Sequence, residues 1–121
     1  MTKTRGQIEA EISKAVIRFE REYMGRGPEE TRTFILDDMV LIRLKGVLTP
    51  AESNLAGTRS DERGRMLVKQ ARIELLENAR ELLEAIIRDA LGQKVKSLHT
   101  DISTRTGERI IIFTLKAPPA I

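Results

Sequence analysis

The chain has 121 residues, 40% hydrophobic and 32% charged, with 21 basic against 18 acidic side chains and no cysteine. That composition belongs to soluble globular proteins and is long enough for a single domain with its own core. The lack of cysteine excludes disulfides and thiol chemistry. No apolar run approaches the roughly 18 residues that a membrane span requires. The first residues lead into an acidic helix without the apolar segment of a signal peptide, so a cytoplasmic location is expected.

The sequence pI of about 9.5 raises nucleic acid as a partner. The distribution of charge argues against it. Through Arg65 there are 12 basic and 11 acidic residues, and beyond it 9 and 7, with the signs interspersed. A small net charge spread this way favours solubility and forms no electrostatic footprint.

In chain order, Thr4 and Gln7 have capping-box spacing. Ile8, Ile12, Ala15/Val16, Phe19 and Tyr23 then recur at helical spacing and predict one buried stripe. Gly25, Gly27 and Pro28 end that helix. Thr31 to Leu36 and Met39 to Lys45 read as a hairpin turning at Asp37-Asp38, whose carboxylates are expected to bond their own backbone rather than a metal. Thr49-Pro50-Ala51-Glu52 starts a short helix that ends near Gly57. The stretch Thr58 to Gly64 is a charged connector.

A long helix is expected from about Asp61 to Leu91, closed by Gly92. It carries two apolar stripes. Val68, Ala71, Leu75, Ala79, Leu82, Ile86 and Ala90 are assigned to the core. Ile73, Leu76, Leu83, Ile87 and Leu91 are free to meet the first helix or a second copy. A second hairpin follows, Val95 to Ser103 and Glu108 to Lys116, turning at Thr104 to Gly107. Residues 117–121 are a tail.

The chain therefore states one pattern twice, helix then hairpin. Gly25/Gly92, Thr33/Thr100 and Ile35/Ile102 repeat at 67 positions, widening to 71 at Leu44/Leu115. The predicted fold is α+β: a four-stranded antiparallel sheet with two long helices on one face, in the order α-β-β-α-α-β-β. One domain spans residues 1–121, the first helix-hairpin and short helix occupying 4–57 and the second helix-hairpin 61–116.

Strand alternation turns Val40, Ile42, Leu44, Ile111, Phe113 and Leu115 toward the helices. Met39, Leu41, Ile110 and Ile112 are left on the opposite face, and a contiguous apolar group of that size marks a partner surface. A two-fold homodimer through this face, or through Ile73, Leu76, Leu83 and Ile87 of the long helix, is the expectation.

Candidate chemistry is sparse. His99 is the lone histidine, which excludes His-cluster zinc sites. His99 and Asp101 share a strand face, an arrangement that orients an imidazole, but no nucleophile joins them. Gly25-Arg26-Gly27-Pro28 follows a helix instead of preceding one, the wrong end for a phosphate cradle; Arg26 and Arg43 remain as weak anion-binding candidates. Aromatic side chains are too few for a nucleic-acid stacking platform. No catalytic residue, metal or cofactor is assigned.

Two strings, Phe19 to Glu30 continuing through Asp37 to Glu52, and Ser97 to Thr114, resemble the MpsC family. This is a small bacterial domain named as part of a Na+-translocating membrane potential-generating system. The resemblance covers about Thr4 to Leu115 and is least distinct from Leu55 to Arg65. It implies a soluble accessory or regulatory protein, not an enzyme, linked to membrane components of ion or bicarbonate supply. It supplies no catalytic residues. Two other classes stand beside it. A nucleic-acid-binding α+β module would show salt-dependent retention. A small-molecule-binding domain or enzyme would show a cleft around His99 and Asp101.

Overall fold

A computed structural model describes residues 3–57 and 62–121. The first helix, α1 (Arg5–Tyr23), begins on the expected capping box: the Gln7 amide donates to Thr4 Oγ1 at 3.1 Å, and the Thr4 amide to Gln7 Oε1 at 2.8 Å. It stops where Gly25 adopts φ +83°, a conformation open to glycine at little cost. Two hairpins follow the two-fold pattern, β1 (Glu30–Leu36) with β2 (Met39–Lys45), and β3 (Val95–Ile102) with β4 (Arg109–Leu115). They join through their second strands, giving one antiparallel sheet in the order β1-β2-β4-β3.

The strand alternation is as expected. Val40, Ile42, Leu44, Ile111, Phe113 and Leu115 are all buried beneath the helices. They share a core with Ile8, Ile12, Val16 and Phe19 of α1 and with Leu83, Ile87 and Leu91 further along, so both halves of the chain bury apolar area in one place. Burial of each large aliphatic side chain there stabilises by about 1.5–3 kcal/mol.

The short helix α2 (Pro50–Gly57) has the anticipated cap, with the Glu52 amide donating to Thr49 Oγ1 at 3.2 Å and the Thr49 amide to Glu52 Oε1 at 2.9 Å. The expected connector Thr58–Gly64 lies partly outside the described residues, and 62–64 are already helical. So does the expected start of the long helix at Asp61. That helix is present but bent, as α3 (Glu62–Asn78) and α4 (Arg80–Leu91), closed by Gly92 at φ +69°. At the bend Ala79 has φ −107° and ψ 8°, and its amide is shared between the Leu75 and Leu76 carbonyls at 3.2 and 3.1 Å.

Two assignments from periodicity are corrected. The buried stripe of α3–α4 is Val68, Arg72, Leu76, Ala79, Leu83, Ile87 and Leu91, whereas Leu75 and Leu82 are exposed. Leu76, Leu83 and Ile87 therefore belong to the core and form no interface; of that group only Ile73 faces out. The stripe that turns inward also carries the charged Arg72. Tyr23, expected in the stripe of α1, is 51% exposed and stacks on Phe19, with ring centroids 5.2 Å apart.

Candidate functional site

Two features of the molecule depart from an ordinary small α+β domain: an open apolar sheet face and a buried charge cluster. The face follows from register. Three rows of four side chains cross it: Arg32–Arg43–Ile110–Asp101, Phe34–Leu41–Ile112–His99, and Leu36–Met39–Thr114–Ser97. Phe34 and Leu36 are 38% and 49% exposed, and Met39, Leu41, Ile110 and Ile112 are half-buried by one another and by neighbouring strands. Six large apolar side chains thus adjoin on a surface that no helix covers. Phe34 and Leu36 enlarge the patch beyond the four residues expected, since β1 contributes alternate apolar side chains to it.

The polar rim of this face is internally paired. Arg43 Nε meets Glu108 Oε2 at 2.6 Å, Lys45 lies 3.5 Å from Glu30, and Arg32 lies 3.9 Å from the same carboxylate. The edge of the sheet at β1 is also occupied, because the Ile35 amide donates to the Glu9 carboxylate of α1 at 2.8 Å. An edge satisfied in this way offers less to strand addition than a bare one. The open surface is the face.

The second feature escaped the sequence reading. Arg72 of α3, Arg109 of β4 and Glu20 of α1 are at most 2% exposed. Arg72 grips Glu52 with two bonds of 2.7 and 2.6 Å and donates to the Val47 carbonyl at 2.7 Å. Glu20 lies 3.6 Å from each guanidinium, yet neither of its oxygens is hydrogen-bonded, and the Nη1 groups facing it are likewise without partners. Two cations and two anions neutralise each other where α1, α2, α3 and β4 meet. The signal was periodicity itself: Glu20 continues 8, 12, 16; Arg72 sits between 68 and 76; Arg109 begins the inward series 111, 113, 115.

Burial lifts the Glu20 pKa above the ordinary 4.5, against the pull of Arg109 and Arg72. For Glu52 burial acts in the same direction, but the Arg72 hydrogen bonds and the Thr49 amide outweigh it and bring the value below 4.5. The consequences for stability have opposite signs. A raised folded value means the folded chain holds a proton that the unfolded chain releases, so the Glu20 contribution is complete below about pH 4.5 and is lost as pH rises through the folded value. The Glu52 contribution is present above that pH and is lost as pH falls through its folded value. Glu20→Gln should therefore gain on the native protein in stability as pH rises from acid to neutral. Glu52→Gln should lose stability at neutral pH, with the gap closing in acid. Thermal melts of both variants across about pH 3 to 8 test the pair of signs.

The remaining expected sites are separated. His99 Nε2 lies 3.1 Å from Ser97 Oγ, while Asp101 accepts from its own neighbour, the Ile102 amide, at 2.8 Å and pairs with Lys69 at 3.2 Å. The Ile102 amide, more than Lys69, holds the Asp101 carboxyl below its ordinary range. His99 and Asp101 border different clefts, so they do not converge on one. Arg26 lines an open cleft of about 420 Å³ beside Gly46 and the Thr104–Gly107 turn, but its guanidinium is directed to Glu29 at 3.5 Å. At the Asp37-Asp38 turn, Asp37 takes φ +57°. Among the described residues no group of three or more His, Cys, Asp or Glu stands close enough to hold a metal, and no helix is long and apolar enough to cross a membrane.

No solved structure matches. The uncharacterized protein YbcI of Bacillus subtilis (strain 168) is 48% identical over 115 residues, 95% of this chain and 90% of that protein. The family model described as Na+-translocating membrane potential-generating system (MpsC) matches residues 4–117, so the chain belongs to the MpsC family.

Proposed function

We propose that this protein is a non-enzymatic accessory component that works by self-association through the open face of its sheet. It would act from the cytoplasm on the membrane-embedded parts of the system for which its family is named. The observation that carries the reading is the uncovered group of Phe34, Leu36, Met39, Leu41, Ile110 and Ile112. Its strongest polar cluster supports the same reading, because Arg72, Arg109, Glu20 and Glu52 are spent on one another inside the fold. The nucleic-acid reading is weaker, since Arg32, Arg43 and Lys45 around the face each have a carboxylate beside them.

The size of the face sets the strength of association. Three strands of seven residues and one of eight cover about 19 by 23 Å, a flat footprint of roughly 440 Å², smaller than the about 800 Å² of accessible area that each partner of a standard interface buries. A reversible dimer that forms in the micromolar range is expected, rather than an obligate one. Sedimentation should give twice the chain mass at tens of micromolar and fall toward one chain on dilution. Leu41→Glu and Ile112→Lys, which place charge at the centre of the patch, should each hold the protein at one chain while leaving the melting temperature of the dilute protein within a few degrees. A one-chain mass for the native protein throughout that range would end this reading. The membrane link is tested separately: the protein should pellet with vesicles carrying the membrane subunits of the system and stay in solution with vesicles lacking them.

A further inference from the structure

We infer that the dimer is built on a two-fold axis running nearly along the strands between β2 and β4, so that β1 of one copy lies over β3 of the other. The inference rests on the proposed self-association and adds its geometry. A face-to-face pair of identical sheets is isologous, and its axis lies in the plane between them. Aligned sheets cross at about 30°. The axis must then run either close to the strands or close to the rows that cross them.

The three rows of this face decide between these. An axis along the strands exchanges left and right within each row. Leu41 then lies over the partner's Ile112, and Met39 over the partner's Thr114. Phe34 lies over the partner's His99. Arg32, at the β1 edge, lies over the partner's Asp101, at the β3 edge. Both of these are exposed at the rim, Arg32 at 3.9 Å from Glu30 and Asp101, with a side chain 78% exposed, at 3.2 Å from Lys69 and accepting from the Ile102 amide at 2.8 Å. Each dimer would contain this opposite-charge pair twice, at the two rims, with the aliphatic side chains between them.

An axis along the middle row instead exchanges its neighbours. Arg32 would then cover the partner's Leu36, and Arg43 the partner's Met39, while Asp101 would meet the partner's Ser97. That arrangement sets two guanidinium groups of each copy on aliphatic surface, where the first axis sets one, Arg43 over the partner's Ile110, and it leaves the carboxylate without a new cation. Charge complementarity at a rim fixes register more than it adds affinity, and here it favours the first axis. Pairing at the β1 edge is disfavoured by the Glu9 carboxylate already bound there.

Charge exchange and single thiols test the axis, since the native chain has no cysteine. Arg32→Glu should weaken the dimer by roughly tenfold, because a like charge then faces each Asp101. Arg32→Glu with Asp101→Arg should return it to within about threefold of native. Phe34→Cys alone should not be linked to itself by a bismaleimide spanning about 10 Å, because across this axis the two copies of residue 34 lie on opposite edges, about 17 Å apart. An equimolar mixture of Phe34→Cys and His99→Cys chains should be linked by the same reagent as the heterodimer, since stacked sheets lie about 10 Å apart. Efficient linking of Phe34→Cys to itself, or an Arg32→Glu chain as tightly dimeric as native, would overturn the axis while leaving self-association intact. A native protein of one-chain mass would remove both.

Discussion

Arg72→Met should destabilise the protein by about 3–5 kcal/mol, the usual cost of removing one member of a buried ion network. Methionine keeps most of the volume of the arginine stem, so the loss isolates charge and hydrogen bonding from packing. Three things are left behind. The Val47 carbonyl loses its donor, and an unsatisfied buried acceptor costs about 1–3 kcal/mol. Glu52 loses both of its guanidinium bonds. Glu20, fully buried, keeps only Arg109 at 3.6 Å. The urea midpoint should fall with little change in slope, and the melting temperature should drop by roughly 10 °C or more. Replacing Glu20 by Gln and Arg109 by Met in the same chain should recover a good part of that loss, since an uncharged filling of the same volume is often as stable as the ion network it replaces. An Arg72→Met chain within about 1 kcal/mol of native would show that the network contributes nothing measurable.

Much of the architecture was legible because local signals agreed with one another. The boxes at Thr4/Gln7 and Thr49/Glu52, the left-handed glycines 25 and 92, and the period-two strands each marked an element end or a face, and each is found where it was expected. The open sheet face could be read from alternation alone, since residues 40, 42, 44 and 111, 113, 115 leave only one side for 39, 41, 110 and 112. Orientation of α3–α4 was not legible by hydrophobicity, because Leu75 and Leu76, or Leu82 and Leu83, are indistinguishable as neighbours. The bend at Ala79 also breaks the single straight periodicity that the two stripes assumed.

The buried charges were hidden for a different reason. A charged residue on an apolar stripe reads as solvent-facing unless its counterion is known, and the counterions here come from other elements: Glu20 from α1 and Glu52 from α2 both face Arg72 of α3. No one-dimensional pattern displays such a meeting. Glu52 was noticed for its capping role, and it does cap α2. The same carboxylate also receives Arg72, so one side chain both starts a helix and docks its neighbour.

That docking depends on how closely α2 and α3 approach, which makes Gly64→Ala the second substitution of large expected effect. A Cβ at residue 64 would lie 2.0 Å from the Leu55 carbonyl oxygen and 3.0 Å from its carbon. Both are backbone atoms, so no rotamer change relieves the overlap and the helices must separate. Alanine gains about 1 kcal/mol in helix propensity over glycine, while forced overpacking costs about 1–3 kcal/mol and occasionally more. With the clash against backbone the steric term should win, for a net loss of about 2 kcal/mol. Gly6→Ala is the internal control: nothing lies within 4 Å of a Cβ there, so only the propensity gain remains and the chain should be unchanged or slightly more stable. Separation of α2 from α3 would also draw Glu52 away from Arg72. The Gly64→Ala and Arg72→Met losses should then overlap, the double variant losing less than the sum by at least about 0.5 kcal/mol. Strict additivity would mean that the glycine crossing and the ion network hold the two helices independently. A shared loss would mean that the absence of a side chain at 64 is what lets the cap of one helix serve as the counterion of the next.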